Sequence, residues 1–280
     1  MVKKALLIGI NYKNTEIELK GCINDTLNIQ NFLTKYCLFD HIHILTDDTE
    51  IKPFYSNIQI EIEWLVSNNE KGDSLVFYYA GHGSNVQDLN GDESDGRDES
   101  IVPLDFHSSG LIKDDYLFSN LISKVINGVN LWCFSDCCHS GSIVDLKYNF
   151  KCSTSLKKEK TITYSSYIPL DWTDNFELSL ENSKDVPGNI CLLSGCRDIE
   201  FATDINIENK NQGAFTFCLL KILHNNITIV DDIKRYKSRT LKLRNLLKEI
   251  NVRLLMNGFT EQQSQLSLSK IEDIEGTLDL

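Results

Sequence analysis

Short runs of apolar residues recur along the chain, and each stops at a small or polar turn. Residues 4–10 hold Ala5-Leu6-Leu7-Ile8 and reach Gly9-Ile10. Leu75-Val76-Phe77-Tyr78-Tyr79 stops at Ala80-Gly81, Val129-Asn130-Leu131-Trp132-Cys133-Phe134 at Ser135-Asp136, and Ile190-Cys191-Leu192-Leu193 at Ser194-Gly195. Short continuous apolar runs bounded by turns are expected of strands buried on both faces of a parallel sheet. Between them the apolar positions fall at helical spacing. One set is Ile23, Leu27, Phe32 and Leu33 around Asn24-Asp25; another is Ile58, Ile62, Leu65 and Val66. Leu117, Leu121, Ile122 and Val125 follow Asp114-Asp115, an acidic pair well placed at a helix start. Phe215, Leu219, Leu220 and Leu223 follow Gly213, and a long amphipathic pattern runs from Leu241 to Leu255. Gln265–Leu268 reads as a last strand. Alternating strands and helices predict a three-layer α/β sandwich, with a mostly parallel central sheet flanked by helices and right-handed crossovers.

Residues 145–187 break the pattern. They are polar, carry Lys157-Lys158-Glu159-Lys160 and show no clear period, so they read as a loop-rich insertion. The 280 residues otherwise show no linker or repeat, and residues 1–280 are expected to form a single domain.

Composition narrows the function. Apolar residues at 41% and charged ones at 24% argue against disorder. A net charge of −12 argues against a nucleic-acid partner and against adhesion to anionic membranes. No stretch approaches the roughly 20 apolar residues of a membrane span. The nine cysteines are odd in number, and no export signal precedes them. They read as reduced thiols in a cytoplasmic compartment.

In a parallel sheet, ligands bind beyond the carboxyl ends of the strands. Ala80-Gly81-His82-Gly83 follows one strand, and Asp136-Cys137-Cys138-His139-Ser140-Gly141 follows another. If those strands are neighbours, a histidine and a cysteine pair share one edge, as a Cys nucleophile with a His partner requires. Zinc ligation by Cys137-Cys138-His139 is the rival reading. Adjacent side chains rarely converge on one tetrahedral ion, and no paired C-x-x-C occurs. Cys22, Cys37, Cys133, Cys191 and Cys218 lie in apolar contexts and read as core.

Six blocks in order resemble the metacaspases, cysteine peptidases of caspase-like fold. They begin with Ala5-Leu6-Leu7-Ile8-Gly9-Ile10-Asn11-Tyr12, Leu19-Lys20-Gly21-Cys22-Ile23-Asn24-Asp25 and Tyr78-Tyr79-Ala80-Gly81-His82-Gly83. They continue with residues 90–99, Asp136-Cys137-Cys138-His139-Ser140-Gly141 and Leu193-Ser194-Gly195-Cys196-Arg197-Asp198. The first strand starts almost at Met1, where several relatives have an N-terminal extension. The resemblance implies Cys138 as nucleophile, His82 as general acid/base, and the backbone N–H groups of Gly83 and Cys138 as oxyanion donors. Cys137 is then a packed small residue and His139 a rival base that ranks second. Cys22, Asp25, Ala80 and Asp136 would line the pocket for the substrate side chain before the cut. Its two acids would receive Arg or Lys, and Ala80 stands where relatives commonly have Ser.

Residues 88–99 hold six acids, with Asp105 just after. The run is no EF-hand, because Glu93 stands where that loop needs Gly. The resemblance implies calcium, with Asp98, Asp114, Asp115 and Asp145 as ligands. It also implies a monomer acting on protein or peptide substrates, and Lys157, Lys158 and Lys160 are candidate self-cleavage sites. The alternatives are a catalytically silent caspase-like interaction module, in which the Cys or His is usually lost, and a paracaspase-like peptidase.

Overall fold

The computed structural model describes residues 1–87, 97–137, 143–153, 175–180, 184–196, 204–207, 210–230, 233–236 and 241–280. Its first elements are β1 (Lys3–Gly9), α1 (Cys22–Phe32), β2 (His41–Thr46), α2 (Tyr55–Val66), β3 (Ser74–Ala80), β4 (Gly83–Gln87) and β5 (Arg97–Ile101). There follow α3 (Phe106–Ser109), β6 (Ile112–Lys113), α4 (Asp114–Asn120), β7 (Asn130–Asp136), β8 (Tyr148–Ser153), β9 (Asn175–Leu180) and β10 (Asn189–Ser194). The last are β11 (Asp204–Ile207), β12 (Lys210–Gly213), α5 (Ala214–Asn225), β13 (Ile227–Val230), β14 (Ile233–Tyr236), α6 (Leu243–Met256) and β15 (Gln265–Leu268).

Eight strands form the central sheet in the order β2-β1-β3-β7-β10-β15-β8-β9. The first five are mutually parallel and the last three join antiparallel. The four apolar runs are β1, β3, β7 and β10, four of the six strands with neighbours on both sides. Alternation along each strand divides the core in two. Ala5, Leu7, Val76, Tyr78, Trp132 and Phe134 pack with α1, α5 and α6. Leu6, Ile8, Leu75, Phe77, Tyr79 and Cys133 pack with α2 and α4. Together the layers make the expected three-layer α/β sandwich.

Two expectations change. The stretch 145–187 carries β8 and β9, which extend the sheet, so it is not wholly loop. Phe150 and Cys152 face the α6 core while Asn149 and Lys151 point the other way, an alternation diluted by polar residues. In α1 the buried face is Cys22, Asp25, Thr26, Ile29 and Phe32, and Leu27 is exposed. Two buried polar residues there take the place of an apolar stripe. All eight described cysteines are buried and free of disulfides. Among the described residues no helix is long and apolar enough to cross a membrane.

Candidate active site

β3 and β7 pair in parallel from Ser74↔Asn130 to Ala80↔Asp136, so both strands end at one level of the sheet edge. His82 stands two residues past β3, and Cys137 directly follows β7. Cys138 and His139 lie outside the described residues. The Cys137 side chain is buried, with Sγ 3.2 Å from the Ser135 hydroxyl, and its carbonyl accepts the Cys196 thiol at 2.9 Å.

The His82 ring is half-buried, and Nε2 lies 2.8 Å from the carbonyl oxygen of Ile17. A carbonyl can only accept, so Nε2 carries the proton. Nδ1 is then the basic nitrogen, able to take a proton. Gly83 follows directly and opens β4.

On the opposite face of the sheet, Asp136 at the end of β7 and Asp25 in α1 meet the first turn of α5. Asp136 Oδ2 accepts the Thr216 N–H at 2.9 Å and the Thr216 hydroxyl at 2.7 Å. Asp25 Oδ2 accepts the Gly213 N–H at 2.6 Å. Both carboxylates are buried, and the positive end of α5 favours them. A Cβ at Gly213 would lie 2.1 Å from Asp136 Oδ2, so only glycine lets α5 start this close. The Tyr78 hydroxyl lies 2.8 Å from Thr216 Oγ1. Burial first, and then the charges of Asp25 and Asp136, push its pKa well above the ordinary phenol range. Cys22 and Ala80 are buried in the same core. The sequence reading named Cys22, Asp25, Ala80 and Asp136, and missed Tyr78, Gly213 and Thr216. Gly213 was signalled by its place before the α5 pattern and Tyr78 by the block that holds His82; Thr216 had no signal.

A second set of carboxylates gathers where β5 meets the start of α4. One oxygen from each of Asp98, Asp114 and Asp115 lies within 4.8 Å of the others. Asp98 and Asp114 are buried. Asp114 accepts the Glu99 N–H at 2.5 Å and the Asp115 N–H at 2.7 Å. Lys113 Nζ bonds Asp98 Oδ2 at 2.5 Å, while the buried Asp98 Oδ1 has no hydrogen-bond partner. The Asp98 bond, opposed by burial, holds the Lys113 pKa above its ordinary value. Asp145 stands outside this group. It is buried with a left-handed backbone (φ 48°) and faces the Lys184 ammonium at 4.0 Å. That ammonium lies 4.8 Å from the ring of Phe118 in α4. Lys157, Lys158 and Lys160 lie outside the described residues.

Residues 3–147 match the family model of the metacaspase peptidase C14 domain. The chain is 33% identical over 303 residues to a Metacaspase-1 of Pyricularia oryzae, covering 98% of this chain and 73% of that protein. It is 43% identical over 256 residues to one of Eremothecium gossypii, covering 79% and 57%. It spans 62% of the length of the Mycosarcoma maydis relative and 64% of the Candida glabrata one, each 32% identical. Among solved structures, a Geobacter sulfurreducens protein aligns at TM-score 0.65 with 22% identity, covering 100% of this chain and 98% of that one. Caspase-1 from Spodoptera frugiperda aligns at 0.51 with 10% identity, covering 95% and 85%, and so shares the fold. With the family model spanning more than half of its residues and a relative matched along nearly its whole length, the chain belongs to the metacaspase family.

Proposed function

We propose that the chain is a calcium-dependent cysteine endopeptidase that cuts after Arg or Lys, with Cys138 as nucleophile and His82 as general acid/base. The observation that carries this reading is the parallel pairing of β3 with β7, which ends both strands at one level with His82 just beyond. His82 Nδ1, the unprotonated nitrogen, takes the Cys138 thiol proton. The thiolate attacks the scissile carbonyl carbon, and the carbonyl electron pair moves onto oxygen. N–H groups of Gly83 and Cys138 receive that charge. Collapse expels the amine, which takes the proton from Nδ1 and leaves a thioester. A water that gives its proton to the same nitrogen hydrolyses the thioester and restores the thiol.

Charge supports the specificity. Asp25 and Asp136 are buried acids at the site edge, lined by Cys22 and Ala80, and a guanidinium or ammonium complements them. For calcium, the hard oxygens of Asp98, Asp114 and Asp115 converge, and the orphaned Asp98 Oδ1 supplies an unused acceptor. These three would hold the ion. Asp145 is the fourth acid of the set and faces Lys184 instead. A bound divalent cation would supply charge neutralisation at the β5–α4 junction. The reading includes self-cleavage at Lys157, Lys158 or Lys160, and a monomer acting in a reducing, cytoplasmic compartment.

The test is hydrolysis of a fluorogenic peptide ending in Arg, with calcium and with excess chelator. Cys138→Ala and His82→Ala should each lose turnover, and Cys137→Ala and His139→Ala should keep it. The wild-type chain should fragment on adding calcium, and the Cys138→Ala variant should not. Activity undiminished in chelator would remove calcium from the reading. A wild-type chain inert toward every peptide would favour the silent interaction module.

A further inference from the structure

The two glycines beside His82 leave its backbone little intrinsic restraint, yet both of its backbone polar groups are held by buried phenols. The His82 N–H donates to the Tyr12 hydroxyl oxygen at 3.0 Å. The Tyr79 hydroxyl donates to the His82 carbonyl at 2.7 Å. The Tyr12 hydroxyl in turn donates to the Val102 carbonyl at 2.6 Å, and the Val102 N–H meets both the His82 carbonyl and the Tyr79 oxygen at 3.2 Å. The two phenol oxygens lie 3.2 Å apart. Tyr12 also places its ring against the imidazole, with centroids 4.8 Å apart.

We propose that Tyr12 and Tyr79 are positioning residues, which fix the backbone of His82 and so hold its imidazole in the orientation that meets the Ile17 carbonyl. The inference rests on His82 being the general acid/base. Three further observations support it. Both tyrosines are fully buried, so each hydroxyl must find a partner inside the protein, and both find this one residue. Tyr12 holds a left-handed backbone, φ 51°, which a bulky residue adopts only where its surroundings over-determine it. A Cβ at Gly81 would sit 2.7 Å from the Tyr79 oxygen and 3.0 Å from that of Tyr12, so glycine there is the condition for both hydroxyls to reach His82. Burial raises both phenols far above the ordinary range, so each hydroxyl keeps its proton across the working pH.

The experiment compares wild type, Tyr12→Phe, Tyr79→Phe and His82→Ala. It reads kcat and KM on the Arg peptide, and the imidazole of His82 by long-range 1H–15N spectra. Wild type should show the Nε2–H tautomer. Each Phe variant should lose about tenfold in kcat with KM unchanged, and its His82 signals should broaden or show both tautomers. A Tyr12 variant that fails to fold leaves Tyr79→Phe to decide. Wild-type kcat in a folded Phe variant, or a fallen kcat with an unchanged imidazole spectrum, would overturn the clamp while an inactive His82→Ala keeps the dyad. An active His82→Ala would overturn the dyad itself.

Discussion

Two groups of carboxylates lie on opposite faces of the sheet and are treated differently. Asp25 and Asp136 meet the first turn of α5, where the Gly213 N–H and both donors of Thr216 bind them. Those donors are neutral dipoles, which stabilise a negative charge without cancelling it. Asp98, Asp114 and Asp115 instead share their space with the Lys113 ammonium, which bonds Asp98 directly. A buried carboxylate costs several kcal/mol unless compensated, and the donors named here differ in kind between the two groups. On the proposed reading, acids held by the Gly213 and Thr216 dipoles are what a cationic side chain would meet. The Lys113 ammonium offsets part of the negative charge at Asp98, so the proposed cation would have to compete with it.

The comparison can be broken at several points, and the largest effect is expected at α5. Asp136→Asn keeps an oxygen for Thr216 but removes the charge. Cleavage after Arg should fall about 100-fold in kcat/KM, and so should that of Asp25→Asn, with cooperative melting retained. Full Arg cleavage by both variants would make the pair purely structural.

At the second cluster the charge arithmetic runs the other way. Asp98→Asn should raise the calcium concentration for half-maximal activity by about tenfold. Lys113→Met removes the internal competitor and should lower it several-fold. Calcium titrations that move in the same direction for both would refute the competition. A smaller effect is expected from Gly213→Ala. Its methyl group would enter the Asp136 carboxylate, and overpacking of this kind costs about 1–3 kcal/mol. An unchanged urea midpoint would show that α5 can retreat freely.

The smallest effect is one of pH. Asp98 holds the Lys113 ammonium above its ordinary pKa, so the pair's contribution to stability is complete below the ordinary lysine value. It is lost as pH rises through the raised one. The gap in Tm between wild type and Lys113→Met should therefore be flat at neutral pH and shrink above about pH 10.5. A gap that widens with alkalinity would mean Lys113 acts through packing.

How much of this was legible follows the physics of each signal. β1, β3, β7 and β10 were readable because strands buried on both faces are apolar through their middle positions. β8 was not, because Asn149 and Lys151 interrupt it, although Phe150 and Cys152 kept the two-residue period. Leu27 misled, since α1 buries Asp25 toward α5 and Thr26 against Gly9 of β1, where periodicity expects apolar residues. At the site, residues whose side chains carry recognisable chemistry within short motifs were found, while Tyr12, Tyr78 and Tyr79, though in the same motifs, were not singled out. Residues that reach it by tertiary register were not. Nothing local links Tyr12 to Tyr79 and His82, or Thr216 to Asp136; these contacts exist only once β1, β3, β7 and α5 are assembled. Asp145 shows the converse, being acidic and near α4 in packing, yet turned to Lys184.

The burial of the thiols has a practical side for chemical labelling. Eight of the nine cysteines are described, and every one is enclosed. Burial pushes Cys37 and Cys218 up to about 12, and Cys133 and Cys191 also well above the ordinary thiol value. Such sulfurs stay protonated and unreachable for a soft electrophile at neutral pH. A brief treatment of the native protein with iodoacetamide should thus add a single carbamidomethyl group, at Cys138, and none to Cys138→Ala. The fold would then serve as its own protecting group, making one sulfur out of nine addressable for a fluorophore or an affinity handle without any engineered cysteine-free background.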